Sequence, residues 1–125
     1  MKIPEGYNTV MPYLIVIDAA AFKKFMESTF DAKEKMVVMR DNTETIMHGE
    51  VTVGESTIMF AQVTEEFKQA NAGMFIWVEN SDITYQKALD LGSTSIMPPA
   101  NQDYGRSCGV KDPFGNTWWI TSPIN

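Results

Sequence analysis

The sequence predicts an α+β fold of two βαβββ modules, each a four-stranded mixed sheet carrying one helix, with the helix-free sheet faces forming a concave cavity. Two strand-to-helix passages point to it: Val16-Ile17-Asp18 leads into an apolar-periodic stretch, and Val78-Glu79-Asn80 leads into another. Each helix is followed by three β-type runs. Thr57-Ile58-Met59 and Thr117-Trp118-Trp119 close the two halves at the same offset of about sixty residues as the helix starts, an internal duplication of pattern. The modules are placed at roughly 10–62 and 73–121 of a single domain spanning 1–125.

In order, Val10 to Ile17 is rich in strand formers, with Pro12 near its start. Asp18 is a favoured N-cap, and Phe22, Phe25 and Met26 give Ala19 to Thr29 helical spacing. Lys33 to Arg40 is the second strand and Asp41-Asn42-Thr43 a turn. Thr45 to Val53 alternates, with Met47, Gly49, Val51 and Val53 on one face and Ile46, His48, Glu50 and Thr52 on the other. Gly54-Glu55 turns the chain into Ser56 to Gln62, and Thr64 to Ala72 is a polar connector. Gly73 to Val78 opens the second half. Ile83 to Leu91 is helical through Tyr85, Ala88 and Leu89, with Gly92 as its C-terminal stop. Ser93 to Met97 is a strand ended by Pro98-Pro99, Asn101 to Tyr104 a loop, and Gly105 to Lys111 a strand. Asp112-Pro113-Phe114-Gly115 fits a type I turn feeding Thr117 to Thr121, where Trp118 and Trp119 must point to opposite faces.

At 44% apolar and 21% charged, the composition is that of an ordinary globular chain long enough to build a core without staples. A net charge of -6 with no cluster of Lys or Arg argues against nucleic acid as a partner. The single cysteine, Cys108, cannot pair internally, which suits a reducing, cytoplasmic setting, and it reads as a buried, inert thiol. No apolar run approaches ~20 residues and no basic-then-apolar leader is seen, so neither membrane span nor signal peptide is expected. Phosphate-binding glycine loops and Ser-His-Asp arrangements are absent.

Ile3-Pro4-Glu5-Gly6-Tyr7 with Pro12-Tyr13-Leu14, the Asp18-Ala19-Ala20 helix start, His48-Gly49-Glu50, Gly54-Glu55-Ser56 with Ile58-Met59, and Asp112-Pro113-Phe114-Gly115 together resemble the glyoxalase/bleomycin-resistance/dioxygenase (vicinal oxygen chelate) superfamily, and within it the PhnB-like branch. The resemblance implies paired βαβββ modules around a cavity, and a homodimer. It also implies four metal-ligand positions, which fall here at about Met11, Met59, Gly73 or Met74, and Trp119. Thioether and indole do not replace imidazole and carboxylate, so no metal and no cofactor are expected.

The expected function is therefore metal-independent binding of a small molecule, planar or aromatic, by stacking. The expected lining is Trp119, Trp77, Phe75, Tyr13, Met59, Arg106 and Tyr104. Arg106 is the candidate clamp for a carboxylate or phosphate; the alternative for it is a pair with one of the acidic residues. His48 and Glu50, on one strand face, are the candidate catalytic pair of an alternative reading, a lyase, isomerase or hydrolase working without metal or with a metal held at a non-standard position; His48 moves a proton or donates to a bound anion, and Glu50 orients it or acts alone. The plainer alternatives are a structural histidine and a dimer that binds no ligand.

Overall fold

The computed structural model describes residues 1–124 of the chain. The chain divides into two compact units, Met1–Asn71 and Ala72–Asn125. Each unit is a βαβββ module.

The first unit contains β1 (Tyr13–Val16), α1 (Ala19–Phe30), β2 (Lys33–Met39), β3 (Ile46–Val53) and β4 (Ser56–Gln62). Its sheet has the order β1-β4-β3-β2, with β1 parallel to β4 and the other pairs antiparallel. The Asp18 side chain caps α1 by accepting from the Ala21 N–H at 3.0 Å. Leu14, Val16, Ile58, Phe60 and Val51 face α1 and are buried, and Phe22 meets Phe60 edge to face at 5.2 Å between ring centroids. The first strand is shorter than the apolar run suggests. It begins only after Pro12, which has no N–H for a ladder but whose carbonyl accepts from Met59 N–H at 3.0 Å.

Two departures from the simple pattern shape this unit. The register of β2 against β3 shifts between Val38 and Met39, where Val38 faces His48 and Met39 faces Ile46. The extra residue is Met47, so Ile46 is buried and Met47 exposed, the reverse of strict alternation. The connector also folds back: Ala70 exchanges backbone hydrogen bonds with Ile15 at 2.9 and 3.0 Å, covering part of the free edge of β1.

The second unit contains β5 (Gly73–Trp77), α2 (Ser81–Asp90), β6 (Thr94–Gln102), β7 (Gly105–Lys111) and β8 (Thr117–Ser122), in sheet order β5-β8-β7-β6. Asn80 caps α2 through the Ile83 N–H at 3.2 Å, and Gly92 leaves the helix at φ 102°, in the left-handed region open to glycine. Trp118, Ile120, Cys108 and Val110 form the buried face of the sheet. β6 does not end at Pro98-Pro99 as the sequence suggests; it runs through both prolines to Gln102. It can do so because β6 is an edge strand whose register slips between Met97 and Ala100, where a missing N–H breaks no continuous ladder. The stretch expected as loop, Asn101 to Tyr104, is therefore strand end and hairpin turn.

Asp112 organises the last hairpin. Its own backbone carbonyl closes the turn by accepting from Gly115 N–H at 3.2 Å. Its buried carboxylate accepts from the backbone N–H groups of Phe114 and Asn116 at 2.9 and 2.8 Å, from the Asn116 side chain at 3.1 Å, and from the Trp118 indole at 2.8 Å. Neither helix is long and apolar enough to cross a membrane.

Candidate functional site

Strand pairing in the second unit lines up Phe75, Trp119 and Gly109 across β5, β8 and β7, and Trp77, Thr121 and Ser107 in the next row. Side chains two apart share a face, so Phe75, Trp77 and Trp119 all stand on the face away from α2. Phe75 meets Trp77 at 5.2 Å between centroids and 69° between planes, and Tyr104, at the tip of the β6–β7 hairpin, reaches Phe75 at 6.3 Å. Phe75, Trp77 and Tyr104 remain 50 to 57% exposed and Trp119 37%. Beside Trp77, an open hollow of about 410 Å³ is lined by Val78, Glu79 and Pro123. Four of the expected lining residues are thus gathered on one face of one sheet.

Arg106 does not join them. It lies on the same face as Cys108, toward α2, and its guanidinium forks onto Asp82 in the first turn of the helix, Nε to Oδ2 at 2.6 Å and Nη2 to Oδ1 at 3.1 Å. A third donor goes to Asn101 at 3.1 Å. The fork that was to clamp an anionic ligand already holds a carboxylate, and it keeps the Asp82 carboxyl below its usual range. Cys108 is fully buried and burial pushes its thiol up to about 11, which leaves it protonated near neutrality.

The remaining candidates belong to the first unit, where Tyr13, Met59, Glu50 and Met36 make one row across the sheet on the face away from α1. His48 projects from the same face, one row along. The His48 Nε2 lies 2.7 Å from Glu50 Oε2, and the Tyr13 hydroxyl lies 3.0 Å from His48 Nδ1. Glu50 is only 3% exposed, and its other oxygen accepts from the Tyr7 hydroxyl at 2.6 Å. Burial raises the Glu50 carboxyl. The hydrogen bonds from Tyr7 and His48, with the nearby Lys35 charge, outweigh that and hold it below the ordinary carboxylate range. The same carboxylate raises the Tyr7 phenol, first through the hydrogen bond and then with burial.

Tyr7 and Lys35 were not legible as parts of this arrangement. Tyr7 sits in the lead-in segment, 43 residues from Glu50, and is held there by Lys35, whose ammonium lies 3.6 Å over its ring and donates to the Gly6 carbonyl at 2.8 Å. No spacing rule connects such distant positions. A hollow of about 630 Å³ beside Tyr13 and His48 is bounded by Arg40 and by the connector residues Glu65, Glu66 and Phe67.

The positions implied for metal ligands do not offer a metal what it needs. Met11 precedes β1, and the residue facing Met59 is Tyr13; Gly73 faces Thr117, and the residue facing Trp119 is Phe75. A phenol, a thioether and two aromatic rings do not fit a hard or borderline divalent cation. Among the described residues, no group of three or more His, Cys, Asp or Glu side chains is arranged to hold one.

This paired βαβββ architecture is that of the superfamily described as Glyoxalase/Bleomycin resistance protein/Dioxygenase, whose sequence profile matches residues 6–120; the chain belongs to it. An uncharacterized protein of Mycobacterium tuberculosis is 27% identical over 128 residues, covering 90% of this chain and 73% of its own length. Among solved structures, the PhnB protein from Bacillus cereus superposes with a TM-score of 0.73 at 18% identity, covering 92% of this chain and 99% of that one. TnmS3, an antibiotic binding protein from Streptomyces, gives 0.72 at 16% identity and 99% of both chains. The fosfomycin resistance protein FosX from Mesorhizobium loti gives 0.64 at 18% identity, covering 91% and 90%. At these identities the likeness is one of fold.

Proposed function

We propose that this protein binds a small, planar, partly apolar molecule by stacking it on the aromatic face of the second unit, without a metal ion. The observation that carries the reading is the set of rings Phe75, Trp77, Trp119 and Tyr104, turned to one sheet face and left 37 to 57% exposed. Aromatic side chains of this size bury large areas when they pack in a core, and a cluster left open is a surface for a ligand. Proteins of like fold include an antibiotic binding protein and a fosfomycin resistance protein, which supports a small organic molecule as the ligand class. Tyr13 and Met59 give the first unit a comparable apolar surface, and a homodimer is part of the same proposal.

A titration of tryptophan emission and of thermal stability against a panel of planar compounds (flavonoids, anthraquinones, phenazines) tests this reading. A bound compound quenches the emission of the exposed Trp77 and Trp119, while the buried Trp118 stays as an internal reference. It also raises stability by mass action, about 2.7 kcal/mol at a hundredfold excess over Kd. Trp119→Ala removes both effects. If no compound produces them, or Trp119→Ala binds as well as the parent, the reading fails.

The hydrogen-bonded line Tyr7, Glu50, His48, Tyr13 favours a second reading, an enzyme of the lyase, isomerase or hydrolase kind that moves a proton through His48 and Glu50. On that reading His48→Ala abolishes turnover while leaving the fold intact.

A further inference from the structure

Resting on this second reading, we infer that Tyr13 is the group that meets the substrate, as the head of a Tyr13–His48–Glu50 relay opening on the hollow of the first unit. His48 then acts as the relay and Glu50 as the residue that positions it.

The hydrogen bonds give the order. Glu50 is buried, does not line the hollow, and has one oxygen engaged by Tyr7 and the other by His48, so it is shielded from a substrate there. An ionised carboxylate only accepts, so the imidazole proton facing it sits on Nε2. In the neutral ring Nδ1 is then an acceptor, and the hydroxyl 3.0 Å away is the donor to it. Both ring nitrogens are thereby occupied. The one atom of the line with free lone pairs and access to the hollow is the Tyr13 hydroxyl oxygen, on a side chain that is 48% exposed.

The logic parallels a nucleophile, an imidazole and an orienting carboxylate, with a phenol at the head. A proton leaving the substrate joins the Tyr13 oxygen as the Tyr13 hydrogen passes to His48 Nδ1. The resulting imidazolium lies against the Glu50 carboxylate, which favours it electrostatically. Return of the proton by the reverse path to the product or to water restores the line. Arg40, Glu65 and Glu66 among the lining residues suit a small polar molecule, and its reacting group is a C–H acidified by a neighbouring electron-withdrawing group.

The probe is 5-nitrobenzisoxazole. Loss of its ring C–H proton to the base forms the nitrile, breaks the N–O bond and leaves the electron pair on a coloured phenolate. The expected rate is at least about tenfold above that of the same concentration of free imidazole, and it falls about tenfold or more in Tyr13→Phe and in His48→Gln, each checked for native fold by circular dichroism. A parent rate no greater than that of imidazole overturns both the enzyme reading and this inference. Loss in His48→Gln with full rate in Tyr13→Phe overturns the inference alone. Nitrogen-15 NMR of the one histidine supplies an independent readout: its neutral ring carries the proton on Nε2, and Glu50→Gln shifts it toward Nδ1. A proton already on Nδ1 in the parent protein overturns the relay.

Discussion

Trp119 lies across Gly109, its partner in the register between β8 and β7: a Cβ built at Gly109 would come within 2.5 Å of Trp119 Cζ3 and 2.7 Å of Cε3. The absence of a side chain there is what leaves room for the six-membered ring of the indole over β7. The two residues act together, one as surface and one as seat.

Gly109→Ala is therefore expected to lift the Trp119 ring off the sheet. Overpacking of this kind costs about 1–3 kcal/mol, and it should weaken stacking ligands by roughly tenfold while Trp118 stays buried. Chemical denaturation and a tryptophan quenching titration on the variant check both parts. Unchanged affinity would mean that the seated position of the ring is irrelevant to binding.

Arg106→Ala is expected to leave ligand binding unaltered, because the side chain is committed to Asp82 on the opposite face of the sheet. The pair is half-exposed and screened by solvent, so the unfolding midpoint should move little. Loss of affinity for an anionic ligand in this variant would return Arg106 to the binding surface.

Asp112→Ala is expected to be among the most destabilising single changes in the chain, on the order of 3 kcal/mol. It removes the acceptor of four hydrogen bonds inside the last hairpin, including the one from the Trp118 indole. Urea unfolding followed by near-ultraviolet circular dichroism measures it. A loss below about 1 kcal/mol would show that water or a neighbour replaces the carboxylate.

Glu50 makes stability pH-dependent at the acid end. Its carboxyl is depressed in the folded protein relative to an unfolded value of about 4.3, so in that range the unfolded chain binds more protons. The contribution is complete above about pH 4.3 and is lost as pH falls through the lower native value. Glu50→Gln, which meets two donors with one carbonyl and one amide, should be less stable at neutrality and show a flatter slope below that pH. Equal slopes in the two proteins would remove Glu50 from the acid transition.

Much of this molecule was readable before folding because local signals agree with the fold. Asp18 and Asn80 cap the two helices, alternation sets Trp118 and Trp119 on opposite faces, and the halves repeat. Pairing register, bulges and edges were not readable, because each depends on a neighbour strand that local spacing does not name. The alternation of β3 fails at Met47 for that reason, and β6 survives two prolines because it is the edge strand of its sheet, with no strand among the described residues on its far side.

The sequence by itself determined the two βαβββ units, the aromatic face of the second, and a histidine and a glutamate on one side of a strand. Only tertiary structure decided their chemistry. It brought Tyr7 to Glu50 across 43 residues, set Tyr13 against His48, and spent the Arg106 fork on Asp82. Hydrogen bonds between distant residues depend on where the chain returns, and that is set by packing of the whole sheet rather than by any stretch of it.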